Sequence, residues 1–165
     1  MDIGGRVGPE WKDTRIPTFE EILQLCRGKI GIYLDLKAAP VPELIEIIKK
    51  YGMEHDILWY IPASHIKEIR ELVNNCPDCI PMPDPGLKSN INNILSQIQA
   101  CMLATDMGEL SEEFVKTAHK NNAMVFVDEK EGTEREWKQI MDWKTDGIQT
   151  DRPEELISFL KKRNK

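Results

Sequence analysis

Two side chains of opposite charge stand two positions apart at the tip of an apolar run, Ile32-Tyr-Leu-Asp-Leu-Lys37. An extended strand sends successive side chains to opposite faces. Tyr33, Asp35 and Lys37 therefore share one face, and Ile32, Leu34 and Leu36 the other. A carboxylate and an ammonium leaving water together must each find a counter-charge. Two chemistries satisfy them. Either they pair as a salt bridge at a strand end, or Asp35 ligates a cation while Lys37 meets an anion.

The other reactive residue types are less organised. His55 precedes an apolar run and His119 falls late in a helical pattern. His65 follows Tyr60-Ile-Pro-Ala-Ser near a strand's end, but general acid–base work needs a second group within reach. Cys76-Pro-Asp-Cys79 has CxxC spacing, yet it ends a helical pattern and leads into a strand, whereas a redox CxxC opens a helix. Cys26 and Cys101 are single, so no second pair completes a zinc site.

The elements that must position these residues repeat. Strand-length apolar runs recur at Ile32–Leu36, Ile57–Ile61, Cys79–Met82, Cys101–Ala104, Met124–Val127 and Gly147–Thr150, roughly 23 residues apart. Amphipathic helices lie between them. Thr18 and Glu21 have capping-box spacing, as have Thr133 and Glu136. Pro42 suits a first helical turn. Ser64, Ser89 or Asn90, Ser111 and Asp151 are expected N-caps. Alternating strand and helix implies a parallel sheet covered by helices, either open and doubly wound or part of a (β/α)8 barrel. The loop after the first strand, Lys37-Ala-Ala-Pro-Val-Pro, has no glycine to cradle a phosphate. Polar residues stand instead at the C-terminal strand ends: Asp35, Lys37, Tyr60, Asp84, Asp106, Asp128, Glu129 and Asp151. Barrel enzymes build their sites from that rim.

The 165 residues suit one domain, 41% hydrophobic and 30% charged, which is ordinary for a globular fold. A formal charge of −6 argues against nucleic-acid binding. The tail Lys161-Lys-Arg-Asn-Lys165 complements a helix dipole without invoking a polyanion. No apolar run is long enough to span a bilayer, and Met1-Asp-Ile-Gly-Gly-Arg6 does not read as a signal peptide. A cytoplasmic location is expected if the chain is complete, and a periplasmic or secreted one remains open if a front part is missing. Trp11, Trp59, Trp137 and Trp143 are scattered as packing residues.

Three segments resemble successive signatures of the glycerophosphodiester phosphodiesterases. They are Arg15-Ile-Pro-Thr-Phe-Glu-Glu-Ile-Leu23, Ile32-Tyr-Leu-Asp-Leu-Lys37 and Asp146-Gly-Ile-Gln-Thr-Asp-Arg-Pro-Glu-Glu-Leu156. The resemblance implies a (β/α)8 barrel that hydrolyses a glycerophosphodiester to glycerol 3-phosphate and an alcohol with a divalent cation, Mg2+ or Ca2+. It puts a metal ligand at Asp35, where many members have glutamate, and a phosphate contact at Lys37. Many members also carry a Trp-Thr pair where this chain has Asp128-Glu129-Lys130. The family's catalytic histidines and further metal acids lie on two strands that would precede Met1. The resemblance thus implies a partial domain over 1–165, with a lead-in over 1–17 and six strand–helix units over 18–165. No catalytic residue is retained, and little activity is expected from the chain alone. The alternative is a non-catalytic phosphate-ligand-binding or assembly fragment that self-associates through open sheet edges.

Overall fold

The computed structural model describes residues 4–37 and 40–163. Residues 1–3 of the N-terminal stretch, 38–39 of the loop after the first strand and 164–165 of the basic tail lie outside the described residues. Six parallel strands alternate with helices. The strands are β1 (Ile32–Asp35), β2 (Ile57–Pro62), β3 (Ile80–Asp84), β4 (Met102–Asp106), β5 (Met124–Asp128) and β6 (Gly147–Gln149). The helices are α1 (Phe19–Cys26), α2 (Val41–Tyr51), α3 (Ile66–Asn75), α4 (Ile91–Gln97), α5 (Glu112–Lys120), α6 (Glu134–Asp142) and α7 (Pro153–Arg163). This is the parallel α/β arrangement expected from the sequence, an incomplete barrel of six strand–helix units. Among the described residues β1 pairs only with β2, and β6 only with β5.

The arc has a seam. Hydrogen bonding joins β1-β2-β3 and β4-β5-β6 as two sheets, although β3 packs beside β4. The sequence of β3, Ile80-Pro-Met-Pro-Asp84, explains this. In a parallel strand alternate residues bond to the same neighbour, and Pro81 and Pro83 have no N–H to give. The β2–β3 ladder runs from Leu58↔Ile80 to Pro62↔Asp84, carried by the residues between and beyond the prolines. The other edge of β3 offers β4 carbonyls only.

Packing sorts by strand face. Leu36, Ile57, Trp59 and Ile61 face outward into a cluster with α1 to α4. Leu103, Val125 and Val127 pack outward with Phe114, Val115, Ala118 and Ile140. The inside of the arc is filled by Met82, Met102 and Ala104 against Leu58, Tyr60, Ile80 and Phe126. Gly147 is required there, because a Cβ at that position would lie 2.4 Å from the Phe126 ring.

Helix starts follow the sequence in part. Thr18 and Glu21 form a complete capping box, and Ser111 caps α5 through the Phe114 N–H. At α6 the box is only half made. Thr133 accepts from the Glu136 N–H, but the Glu136 carboxylate turns back to the preceding loop. Ser64 does not cap α3, since a 3-10 turn over Ala63–His65 intervenes and His65 holds the N-cap position. A second such turn, Lys88–Asn90, precedes α4, and Asn90 donates to the Pro85 carbonyl at 3.0 Å instead of capping. α7 begins at Pro153 directly after Arg152, whose N–H is taken by the Thr150 hydroxyl at 2.9 Å, so Asp151 stands outside the helix start.

Asn122 adopts left-handed geometry after α5, whereas Asn74 and Asn75 stay inside α3. Trp59 and Trp137 are core residues, but Trp11 lies exposed in the lead-in, a departure from the expected packing role. Cys76 and Cys79 are joined by a disulfide between α3 and β3, with both sulfurs buried. No described helix is long and apolar enough to cross a membrane.

Candidate functional site: the mouth of the arc

The C-terminal strand ends converge on a cavity of about 190 Å³. Asp35 and Lys37 line it from β1, Tyr60 from β2, Asp84 from β3, Asp106 from β4 and Asp128 from β5. Register brings them level, because Asp35 is opposite Tyr60 and Asp106 opposite Asp128. Tyr33, inward on β1 with Asp35, stacks on Tyr60 with centroids 5.8 Å apart and planes 24° apart. The alternation read from the sequence therefore holds for all three residues of the Tyr33, Asp35, Lys37 face.

Asp35 and Lys37 are bonded to each other. Lys37 Nζ lies 2.8 Å from Asp35 Oδ2, with 79% and 43% of the two side chains exposed. An ion pair this wet is worth ~0–1 kcal/mol. A ligand with a stronger charge can part it at little cost.

The remaining acids are engaged to different degrees. Asp84 accepts from the Gly86 N–H at 2.7 Å and the Tyr60 hydroxyl at 3.0 Å. Asp106 folds its own loop, accepting from Gly108 at 2.6 Å and Glu109 at 3.2 Å. Asp128 is titrated upward from the usual carboxylate range by burial, then by the charges of Asp151, Asp106 and Glu129. Asp151 thus acts on this rim. Burial, followed by neighbouring Tyr60 and Asp35, also pushes the Tyr33 hydroxyl up. Burial and Asp84 do the same for Tyr60. Both phenols stay protonated at any ordinary pH.

Glu129 points away from the mouth, accepting from Trp137 Nε1 and from the Thr150 hydroxyl. The loop behind it is held by Glu136, a buried carboxylate accepting from Lys130, Glu131 and Gly132 N–H at 3.0, 2.8 and 2.9 Å. Sequence reasoning missed Thr105, Phe126 and Gln149 in the cavity wall. Their types carry no charge to draw attention, and only strand register would have found them.

The histidines are dispersed. His55 is in the turn before β2, at the opposite end of the strands. His119 bonds Asp146 at 2.9 Å, and Asp146 also accepts from the Val125 N–H at the start of β5. That trio ties α5 to the closed end of β5 and β6. His65 is exposed before α3 and does not line the cavity.

Divalent cations of the Mg2+ or Ca2+ type want at least six oxygen ligands. Among the described residues no group of three histidine, cysteine, aspartate or glutamate side chains converges as a metal site. Asp35 can offer one carboxylate, while Asp84 gives one oxygen to its loop and one to Tyr60, and Asp106 gives Oδ1 to its loop. The residues present do not by themselves fit a resident metal.

No protein-family model matches the chain. A curated Bacillus subtilis (strain 168) protein, named "Putative glycerophosphodiester phosphodiesterase YhdW", is 23% identical over 171 residues, covering 99% of this chain and 70% of that protein. The crystal structure of "a putative glycerophosphodiester phosphodiesterase from Galdieria sulphuraria" superposes with a TM-score of 0.78 at 21% identity. That of a glycerophosphodiester phosphodiesterase from Agrobacterium tumefaciens str.C58 gives 0.77 at 19%. These two matches cover 88% and 92% of this chain but only 64% and 65% of the solved chains.

Proposed function

We propose that this chain, related through these sequence and fold matches to the glycerophosphodiester phosphodiesterases, carries the phosphate-facing part of a phosphoric diester hydrolase site. One observation carries the reading: Lys37, the only ammonium lining the mouth among the described residues, is held there by a weak, exposed ion pair with Asp35. A phosphodiester oxygen displaces Asp35 and takes the Lys37 point charge, which then favours the more negative transition state. Asp35, released, is one carboxylate available to a cation in a complete barrel. Tyr33 and Tyr60 stand beside it as neutral, protonated groups. The chain contributes no pair of histidines to the mouth among its described residues, so turnover by this chain alone is negligible.

The test is an assay of the purified chain with glycerophosphocholine and Mg2+ or Ca2+, alongside 31P NMR titration of the same diester. Binding that Lys37→Ala abolishes, with little turnover, is expected. Turnover equal to that of a full-length relative would overturn the inactive half of the proposal, and binding unaffected by Lys37→Ala the other half.

A second reading is favoured by the single-sided pairing of β1 and β6. The chain would bind phosphate ligands or assemble with itself, without catalysis. Light scattering across a dilution series separates these outcomes, since a stable monomer leaves no role for the edges.

A further inference from the structure

Beside the mouth lies a second concavity of about 560 Å³, between α3 and α4 at the same end of the arc. Asp84 lines both cavities, so they adjoin. The floor is apolar, from Ile66, Pro85 and Ile94, and one wall is a stripe of side-chain amides. Asn90, Asn93 and Gln97 recur at helical spacing, so they share one face of the segment leading through α4.

The hydrogen bonds around this stripe fix which atom of each amide faces where. An arginine has donors only, and Arg70 Nη2 donates to Gln97 Oε1 at 2.7 Å. Gln97 must then present its nitrogen, which donates to Asn93 Oδ1 at 3.0 Å. That leaves the Asn93 nitrogen as a donor without a described acceptor. Asn90 gives its nitrogen to the Pro85 carbonyl and keeps its oxygen as an acceptor. Each Asp84 oxygen already accepts one hydrogen bond, from the Tyr60 hydroxyl and from the Gly86 N–H, and Arg70 directs Nη2 to Gln97. A group offering a hydroxyl donor and a hydroxyl acceptor over a C–H face matches this wall.

We propose that the α3–α4 groove binds a neutral, hydroxyl-rich group, a polyol or monosaccharide, through Asn90 and Asn93. As the alcohol end of a phosphodiester whose phosphate sits at Lys37, this assignment rests on the function proposed above. As a polyol site it does not.

The experiment follows the side-chain amide resonances of the 15N-labelled full chain during titration with myo-inositol, with tetramethylammonium chloride in parallel. Saturable shifts confined to Asn90, Asn93 and Gln97 are expected with inositol alone. Asn93→Asp, at an exposed position, should weaken binding ~10-fold by replacing the donor with an acceptor, and Arg70→Met should weaken it by freeing Gln97 to flip. No saturable shift with inositol, equal shifts with tetramethylammonium, or undiminished binding by Asn93→Asp would each overturn the proposal. A glycerophosphoinositol titration separates the two readings. Shifts in the amides without Lys37 keep the groove and sink the phosphodiester reading. Shifts at Lys37 without the amides sink the groove.

Discussion

Removing the Glu136 carboxylate should unmoor the loop behind the mouth. Three N–H groups converge on it, those of Lys130, Glu131 and Gly132. Lys130 and Glu131 are exposed and Gly132 is buried, so water can replace the carboxylate at the first two but not at the third. In Glu136→Ala the Gly132 N–H is orphaned at ~2 kcal/mol and the other two bonds are exchanged for hydration at ~0.5 kcal/mol each, about 3 kcal/mol together. Glu136→Gln keeps one acceptor oxygen, which can still serve Glu131 and Gly132, and sets its amide nitrogen against the Lys130 N–H. Its loss should be about half as large. Urea unfolding followed by tryptophan fluorescence reads both variants, with the m-value unchanged. The same loop carries Glu129, the partner of buried Trp137, so the alanine variant should also red-shift native emission. Two variants within ~0.5 kcal/mol of the parent, with native emission unmoved, would refute the idea that this carboxylate organises the loop.

Three further outcomes are expected. Glu21 is drawn down from 4.5 to about 2, first by the Arg15 hydrogen bond and then by the Thr18 N–H. A folded value below the unfolded one gives stability that is present above about 4.5 and lost as pH falls towards 2. Melting curves should therefore lose more between those limits in the parent than in Glu21→Gln, and parallel losses would contradict the assignment. Asp128 has the opposite sign: its raised folded value means the ionised form opposes folding once pH rises through it. Asp128→Asn should melt higher than the parent at neutral pH, with the gap closing below 3.8, the ordinary value; a gap independent of pH would count against it. Gly147→Ala drives a methyl to within 2.4 Å of the Phe126 ring and should cost ~1–3 kcal/mol, part of it recovered in a Gly147→Ala, Phe126→Leu double variant. An unchanged denaturation midpoint would mean the ring moves freely.

Much of this was legible in the residues. All six apolar runs are strands, because a parallel sheet buried on both faces leaves continuous apolar segments that little else explains. The shared face of Tyr33, Asp35 and Lys37 followed from strand alternation alone. What failed was local and competitive. Ser64 and Asn90 lost their capping roles to 3-10 turns that a helical period cannot distinguish from the first turn of an α-helix. Glu136 had the spacing of a capping box, but three loop amides outbid the one N-cap amide for its carboxylate. Glu129 read as a rim acid, although one residue further along the chain reverses the direction a side chain takes. The placement of the CxxC pair Cys76 and Cys79 argued against a redox or zinc site, but spacing alone does not say whether two thiols have closed on each other, as these have.

The prolines of β3 reach further than sheet geometry. The seam they leave divides the molecule into an N-terminal unit built on β1 to β3 and a C-terminal unit built on β4 to β6, each with its own large outer cluster. Contact across the seam rests on apolar packing around Met82, Met102 and Ala104 and on α4, whose Ile94 joins the first outer cluster and Ile91 the second. Such packing resists separation less selectively than a ladder of hydrogen bonds. Such a boundary favours two cooperative foldons. Amide exchange would then proceed in two tiers, β1 to β3 and β4 to β6, with α4 bridging them, and the mouth, whose wall draws on both tiers, would open by relative movement of the two sheets.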